Sequence, residues 1–275
     1  MSDAAPSREE IQARLRDVGG RDDAAIDLGE TALWLAALDR PNVALDRYRA
    51  HLVDLAAALP GGTPSADDMA AALCDMLVRA NGYAGDQQNY DDDQNANLIR
   101  VIDRRKGLPV SLGILMIDAG TRAGWTVHGL SFPYHFLVRV DHGNARAVLD
   151  PFNGTPVSPA DMRTLLKSFN AEADLEPAFY QPVGRRDVLV RLQNNLKSRA
   201  VQLRRFDRAA ELVEHILMFA PDLPPLWREL GILKVACGLV NEAMTAAEHY
   251  QEVAENDAQR HDAAKLVQKI KSHLN

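Results

Sequence analysis

Thiols, positive charge and long apolar runs are all scarce in this chain of 275 residues. Its two cysteines, Cys74 and Cys237, lie far apart, which excludes a disulfide framework and leaves reduced, buried thiols as the expectation. No stretch approaches the roughly 20 consecutive apolar residues that a membrane-spanning helix requires. Met1 to Arg14 is polar and offers no apolar core of a signal peptide. Acidic residues outnumber basic ones by 38 to 31, so the clustered Lys and Arg that grip phosphate backbones or anionic membranes are missing. There is no phosphate-cradling glycine-rich loop and no zinc-spaced set of Cys and His. The expected protein is cytoplasmic, carries no cofactor or metal, and binds neither nucleic acid nor membrane.

What is present is a large apolar fraction, 47%, enough for one large core or two small ones. The first third reads helical. Ser7 and Glu10 have capping-box spacing, and Ile11, Leu15 and Val18 share a face. Ala24 to Leu38 predicts a second helix, and Val43 to Leu59 a third with Leu45, Tyr48, Leu52 and Leu55 along one stripe. Pro60-Gly61-Gly62-Thr63-Pro64 stops it, and Ser65 with Asp68 caps a fourth helix running to about Ala80. Asn81 to Gly85 reads as loop.

The middle third changes character. Asn95 to Lys106 reads helical, Gly107-Leu108-Pro109 breaks it, and Pro109 suits the first turn of the next helix, which runs to near Gly124. Trp125 to Leu130, Phe132 to Val140 and Arg146 to Leu149 read as strands, the last two flanking the turn Asp141-His142-Gly143-Asn144. Ser158-Pro159-Ala160-Asp161 opens another short helix. From about Asp187 the chain is helical again, and Leu196 with Leu230, and Ala209 with Ala243, are separated by the 34-residue tetratricopeptide period. Trp227 and Gly231 fit that pattern, whereas Lys197 and Glu255 depart from it. Asn194 and Asn195 read as groups that bond across helices.

One constellation carries chemistry. Ser111 sits in the first helical turn after Pro109, where free N–H groups and the helix dipole favour negative charge. A thiol there would ionise readily; a hydroxyl needs a general base and an oxyanion hole. The plain alternative is that Ser111 satisfies a backbone group of its own first turn. A turn centred between His142 and Gly143 sets His135 on a strand opposite Asp150, with Cβ atoms about 5 Å apart. The carboxylate could then take the Nδ1–H of the ring and fix its tautomer. A purely structural histidine–aspartate pair is the equal alternative. Asp91-Asp92-Asp93 reads as solvated turn carboxylates, Arg104-Arg105-Lys106 as a charged helix end, Cys74 as core, and His128 as a histidine with no third metal ligand spaced for it.

The chain holds Asn89-Tyr90-Asp91, Asn95-Ala96-Asn97-Leu98, Arg105-Lys106-Gly107-Leu108-Pro109-Val110-Ser111-Leu112, Phe132-Pro133-Tyr134-His135-Phe136-Leu137-Val138-Arg139 and Asp150-Pro151-Phe152-Asn153-Gly154, with Asn195-Leu196-Lys197 and Arg228-Glu229-Leu230-Gly231 in the tail. In this order and spacing these fragments resemble the SirB-type branch of the transglutaminase-like superfamily over about 80% of the chain. The resemblance implies a mostly helical α+β fold: N-terminal helices, a papain/transglutaminase-like core with a small antiparallel sheet, and a C-terminal tetratricopeptide-like region of helical hairpins. It implies a transglutaminase-like domain over 1–180, with helices about 7–80 and the core about 86–170, and a tetratricopeptide-like region over 186–275. By position, Ser111, His135 and Asp150 stand where the superfamily has its catalytic cysteine, histidine and aspartate. Tyr134 replaces a usual glycine, and Thr155 replaces a second glycine after Gly154.

Two functions of different class follow. One is a non-catalytic transglutaminase-like module that binds a protein or peptide partner, with Asn195, Trp227 and Arg228 of the tail as binding residues; the missing thiol favours it. The other is a Ser-His-Asp amide or ester hydrolase, or acyl-transferase, with Ser111 as nucleophile, His135 as base and Asp150 orienting the ring.

Overall fold

The computed structural model describes residues 5–62 and 64–272, so Thr63 of the expected helix stop lies outside the described residues. Helices α1 (Arg8–Gly19), α2 (Leu28–Leu38), α3 (Asp46–Ala57) and α4 (Ala66–Cys74) come first. Both capping boxes form as read. Ser7 N–H donates to Glu10 Oε2 at 2.8 Å and Glu10 N–H to Ser7 Oγ at 3.2 Å, and the same exchange joins Ser65 to Asp68. The second helix starts later than its periodicity suggested. Asp23–Ala25 form a separate 3₁₀ turn, and Asp27 takes the cap by accepting from Glu30 N–H at 2.9 Å. The third begins at Asp46 rather than Val43, and the fourth passes at Asp75 into a π-helical turn that ends at Ala80.

The stretch read as loop before Gly85 contains β1 (Ala84–Gly85), which pairs in parallel with β2 (Lys106–Gly107). Between them lies α5 (Leu98–Arg104), shorter than expected because Asn97 caps it. The Asn97 Oδ1 accepts from Arg100 N–H at 3.1 Å, and its Nδ2 donates to the Ala36 carbonyl at 2.9 Å. Asn97→Ala removes the cap and orphans a carbonyl, so it should cost about 2 kcal/mol. A urea titration showing a lower midpoint at unchanged slope checks this.

Helix α6 (Pro109–Arg122) is the axis of the core, with every residue from Pro109 to Gly120 buried. A helix apolar on all sides can only be interior. Packed against it are α2, α3 and the sheet. That sheet, among the described residues, is antiparallel with the order β6 (Thr155–Pro156), β5 (Ala145–Asp150), β4 (Val138–His142), β3 (Thr126–Leu130), β7 (Pro182–Val183). Its other face is covered by α7 (Pro159–Phe169), whose Met162 and Leu166 meet Leu130, Phe132 and Leu137.

Two expectations about this sheet are corrected. The segment from Phe132 to Leu137 is not strand: β4 begins at Val138, and His135 lies in the connection from β3. The hairpin turn is centred one residue later than expected, on Gly143-Asn144, with His142 paired to Ala145 and Val138 to Leu149. Gly143 takes a φ of +58° at the first central position, where a two-residue hairpin of type II′ needs glycine. The pairing therefore moves by two residues, which keeps its parity.

By internal contacts the chain divides into two units. Among the described residues, the first is Asp22–Leu192 with 5–11; the second is Gln12–Arg21 with 193–272. The boundary falls inside α8 (Arg185–Gln202), and the latter part of α1 belongs with the tail. The tail continues through α9 (Phe206–Phe219), α10 (Pro224–Ala236), α11 (Val240–Glu252) and α12 (Asp257–Lys271). Its repeat is geometric as well as sequential. Arg204 and Gly238 are both left-handed, with φ of +55° and +75°. Each is followed by the same helix-ending bond, Arg205 N–H to the Ala200 carbonyl at 2.8 Å and Leu239 N–H to the Lys234 carbonyl at 2.9 Å. Only the second of the two repeats has glycine there. Arg204→Gly should relieve the strain of a Cβ in the left-handed region and raise stability by up to about 1 kcal/mol, read as a higher Tm.

Candidate functional site

The last residue of β5 is Asp150, with 3% exposure, and its carboxylate gathers donors. Oδ1 accepts from His135 Nε2 at 2.9 Å and Phe152 N–H at 2.8 Å, and Oδ2 accepts from Asn153 Nδ2 at 2.7 Å. The Pro151-Phe152-Asn153 turn thus folds back onto the carboxylate that precedes it. Burial works against ionisation of Asp150, but the bonds from His135, Phe152 and Asn153 outweigh it and hold the group below the ordinary carboxylate range. The bonded nitrogen is Nε2, not the Nδ1 expected from an opposed strand pair. His135 approaches from a loop, held by its N–H to the Pro133 carbonyl at 2.7 Å and by Tyr134 at a φ of +64°. A left-handed backbone is one that glycine adopts freely and a tyrosine adopts at a cost, so Tyr134 is held there by its surroundings.

The ring of His135 lies among aromatic side chains. Phe152 meets it edge-on at 6.2 Å, and Phe169 lies nearly parallel at 6.5 Å. Tyr134 stacks on Phe169 at 5.6 Å, and Tyr90 meets Phe152 at 5.8 Å. Gly85 leaves room for Phe152, since a Cβ at that position would come within 2.4 Å of the ring. Arg191 donates to the Phe132 carbonyl at 2.9 Å and covers the Phe136 ring at 5.4 Å. Phe152, Asn153 and Phe169 were not singled out as site residues from sequence. The first two carry a signal in the Asp150-Pro151-Phe152-Asn153 motif; Phe169 carries none.

Ser111 is placed differently from the other two. It has no exposed surface, and its Oγ lies 2.7 Å from the Asn95 carbonyl and 3.0 Å from the Leu108 carbonyl. Gly107 closes over the hydroxyl: a Cβ there would lie 2.7 Å from Ser111 Oγ. No hydrogen bond joins Ser111 to His135 among the described residues. The structure brings His135 and Asp150 together and engages Ser111 with backbone. Asn95, which receives Ser111, is itself braced. Its Oδ1 accepts from Arg104 at 3.1 Å, and Arg104 also pairs with buried Asp86 at 2.9 Å. Arg105 turns to His51 and Tyr83. Arg104 and Arg105 of the basic run are therefore used internally. No cluster of metal-ligating residues occurs among the described residues, and Asp92 serves as a cap for Gln94 N–H at 2.9 Å. Both cysteines are free, Cys74 buried and Cys237 only partly so. Burial, with help from Asp75 and Asp150, pushes the Cys74 thiol up to about 11, so it stays protonated at neutral pH.

In the tail unit, Trp227 lines a cavity of about 590 Å³ together with Leu230, Lys234 and His249. Its Nε1 donates to the Pro221 carbonyl at 2.7 Å, and its ring lies 4.5 Å from that of His249. Lys234 sits at 8% exposure between Glu214 at 2.6 Å and Glu242 at 2.5 Å. Arg228 is outside this cavity lining and pairs with Asp262 at 2.6 Å. Asn195 is partly buried, and Asn194 Oδ1, expected to bond across helices, is sealed without a partner.

A buried helix opening at Pro109, an antiparallel sheet whose Asp150 holds His135 from the neighbouring loop, and a helical-repeat tail define a transglutaminase-like protein with tetratricopeptide repeats. The family model described as transglutaminase-like superfamily matches residues 44–194, and a tetratricopeptide repeat model matches 196–268. The UPF0162 protein of Xylella fastidiosa (strain Temecula1) is 34% identical over 185 residues, 66% of each chain. That of Vibrio cholerae is 31% identical over 188 residues, 68% of this chain and 70% of the other. Protein SirB1 of Salmonella typhimurium is 22% identical over 195 residues, 70% of this chain and 72% of the other. The chain belongs to this UPF0162/SirB1 family of the transglutaminase-like superfamily. The match spans 66% and 62% of the lengths of the two Xylella fastidiosa relatives. Among solved structures, a crystal structure of menin, described as revealing the binding site for the Mixed Lineage Leukemia protein, matches at a TM-score of 0.47 and 12% identity, over 97% of this chain and 75% of that one. No described helix is long and apolar enough to cross a membrane.

Proposed function

We propose that this protein is a non-catalytic transglutaminase-like module that works by binding a protein or peptide partner. The observation that carries the reading is the state of Ser111: sealed, and hydrogen-bonded to the Asn95 and Leu108 carbonyls rather than to His135. A nucleophile must reach both its base and its substrate; a hydroxyl in this position ties the start of α6 to the Asn95 turn instead. The cavity beside Trp227 supports a binding role for the tail unit, being concave, largely apolar and ringed by a few polar groups.

The test uses the full chain against a peptide library, read both for capture and for hydrolysis. Capture without turnover is expected. Ser111→Ala should leave capture unchanged and cost about 1 kcal/mol in stability, the net worth of one hydrogen bond, whereas Trp227→Ala should reduce capture. Turnover that disappears in Ser111→Ala would establish the second reading, a Ser-His-Asp hydrolase or acyl-transferase. That reading draws its support from the His135–Asp150 bond at 2.9 Å, which orients an imidazole as such enzymes do. A serine-directed phosphonate that labels the wild type but not Ser111→Ala would point the same way.

A further inference from the structure

We infer that the open edge of β3 is a docking site for an extended peptide of a partner protein, which adds one short strand beside Thr126–His128. The inference goes beyond the tail cavity and puts a second binding surface in the first unit. It begins with the sheet. β7 covers β3 only at Gly129, paired with Val183, and at Leu130, paired with Pro182. Past Val183 the chain turns away through Gly184 into α8. Toward the start of β3, that edge has no neighbouring strand among the described residues.

Two bonds fix where each backbone group points. Leu130 N–H donates to the Leu137 carbonyl at 3.0 Å, so the even-numbered residues of β3 turn N–H and C=O toward β4. Ser131 N–H donates to the Gln181 carbonyl at 3.0 Å, so the odd-numbered ones turn theirs toward the β7 side. Val127 is odd and lies where β7 no longer runs. Its N–H and C=O have no partner among the described residues, although Val127 is only 5% exposed. Buried backbone groups are nearly always paired, so an open donor and acceptor side by side call for a partner.

The same edge borders a cavity of about 270 Å³. Trp125 lines it at 8% exposure, and its indole N–H has no partner among the described residues; nor has the hydroxyl of Thr121, also in the lining. Leu28, Ile117, Val183 and Val188 make an apolar wall. Asp23 and Arg185 bring opposite charges to the lining, and both are engaged. Asp23 accepts from the N–H groups of Arg185 and Arg186 at 2.8 Å, and the Arg185 guanidinium donates to the Ile26 carbonyl at 2.6 Å. His128 lies 3.9 Å from Asp141, which balances a proton on its ring. The cavity thus offers a strand edge, two neutral polar groups and an aliphatic wall. An extended backbone answers the first, one of its carbonyls the indole N–H, and an aliphatic side chain the wall. An inorganic ion would match only half of the Val127 pair. At the small end of the range for ligand pockets, the volume suits one such residue with its flanking peptide units rather than a long segment.

The experiment follows the Val127 amide and the Trp125 indole N–H of the full chain by NMR. Three capped peptides are added: Ala-Val-Ala, Ala-Asp-Ala, and Ala-Val-Ala N-methylated at the valine. Expected are saturable shifts at both groups with the first and at least about a fivefold loss of affinity with aspartate. N-methylation, which deletes the guest N–H that the Val127 carbonyl would accept, should cost about fivefold or more. Deuterium exchange at the Val127 amide should slow on binding, while that of Val140, whose amide faces β5, stays unchanged. Trp125→Phe removes the indole N–H and should weaken binding about two- to fivefold; the peptide comparison needs no protein variant and decides the matter even if Trp125→Phe folds poorly. No saturable shift, equal binding of the N-methylated peptide, or an unprotected Val127 amide overturns the inference. Val127 shifts that follow protein concentration without peptide would assign the edge to a second copy and overturn it too. Trp227-dependent capture with a silent Val127 also overturns it and leaves the proposed function standing. Protection of Val127 together with Ser111-dependent turnover supports this site while removing the non-catalytic reading.

Discussion

Asp150→Ala is expected to destabilise the protein by about 3–5 kcal/mol, because three buried donors lose their shared acceptor at about 1–3 kcal/mol each. The substitution leaves His135 Nε2, Phe152 N–H and Asn153 Nδ2 without their acceptor at a buried position. Asp150→Asn should cost less, because one oxygen survives, but its amide would turn a donor toward donors. The same residue shapes the acid limb of stability. Burial opposes its ionisation, yet the bonds from His135, Phe152 and Asn153 leave its folded pKa below the ordinary value. Above the unfolded carboxylate value near ~3.9, its contribution is complete. As pH falls below that value toward the folded pKa, the unfolded chain takes up the proton first and the contribution is lost. Urea midpoints of wild type and Asp150→Ala measured from neutral pH downward should therefore converge in that acid window. Parallel profiles would remove Asp150 as the source.

Gly113→Ala should also be strongly destabilising, although alanine is the better helix former by about 1 kcal/mol. In α6 the new methyl would lie 2.4 Å from one carbon of the Phe136 ring and 2.7 Å from another. Phe136 is held from the far side as well, since Gly129 on β3 leaves a gap that a Cβ would fill at 2.6 Å from the ring tip. A ring slotted between two glycines cannot step aside, and overpacking of this kind costs about 1–3 kcal/mol. Phe136→Leu opens the slot, so the cost of Gly113→Ala should fall in that background. A double-mutant cycle measures the difference. Additive effects would show that the slot is not what makes Gly113 necessary. Gly61→Ala, with nothing within 4 Å of the new methyl, is the neutral control.

The helices were legible where their ends are written locally. Ser7 with Glu10, Ser65 with Asp68, Ser158 with Asp161, and Pro109 at the start of α6 all act within one turn of themselves, so spacing alone reveals them. Register was less legible. Gly143-Asn144 and His142-Gly143 as turn centres differ by a two-residue shift that leaves the same side chains on each face, so the apolar pattern does not choose between them; the left-handed Gly143 stands at the first central position of the turn that forms. The histidine and aspartate still meet, through Nε2, because the loop before β4 brings His135 to the end of β5. Phe169 could not be found at all: it reaches the His135 ring only because α7 folds across the sheet.

Sequence alone determined the family, the order of helices and sheet, the spacing of the tail repeat and the absence of a thiol at position 111. These are properties of neighbours along the chain, set by caps, turn residues and apolar period. Only tertiary structure decided what the hydroxyl of Ser111 touches, which imidazole nitrogen meets Asp150 and which rings surround it. Those outcomes depend on groups brought together from Asn95, Gly107, Asp150 and Phe169, and no local pattern records how distant segments will compete for the same buried space.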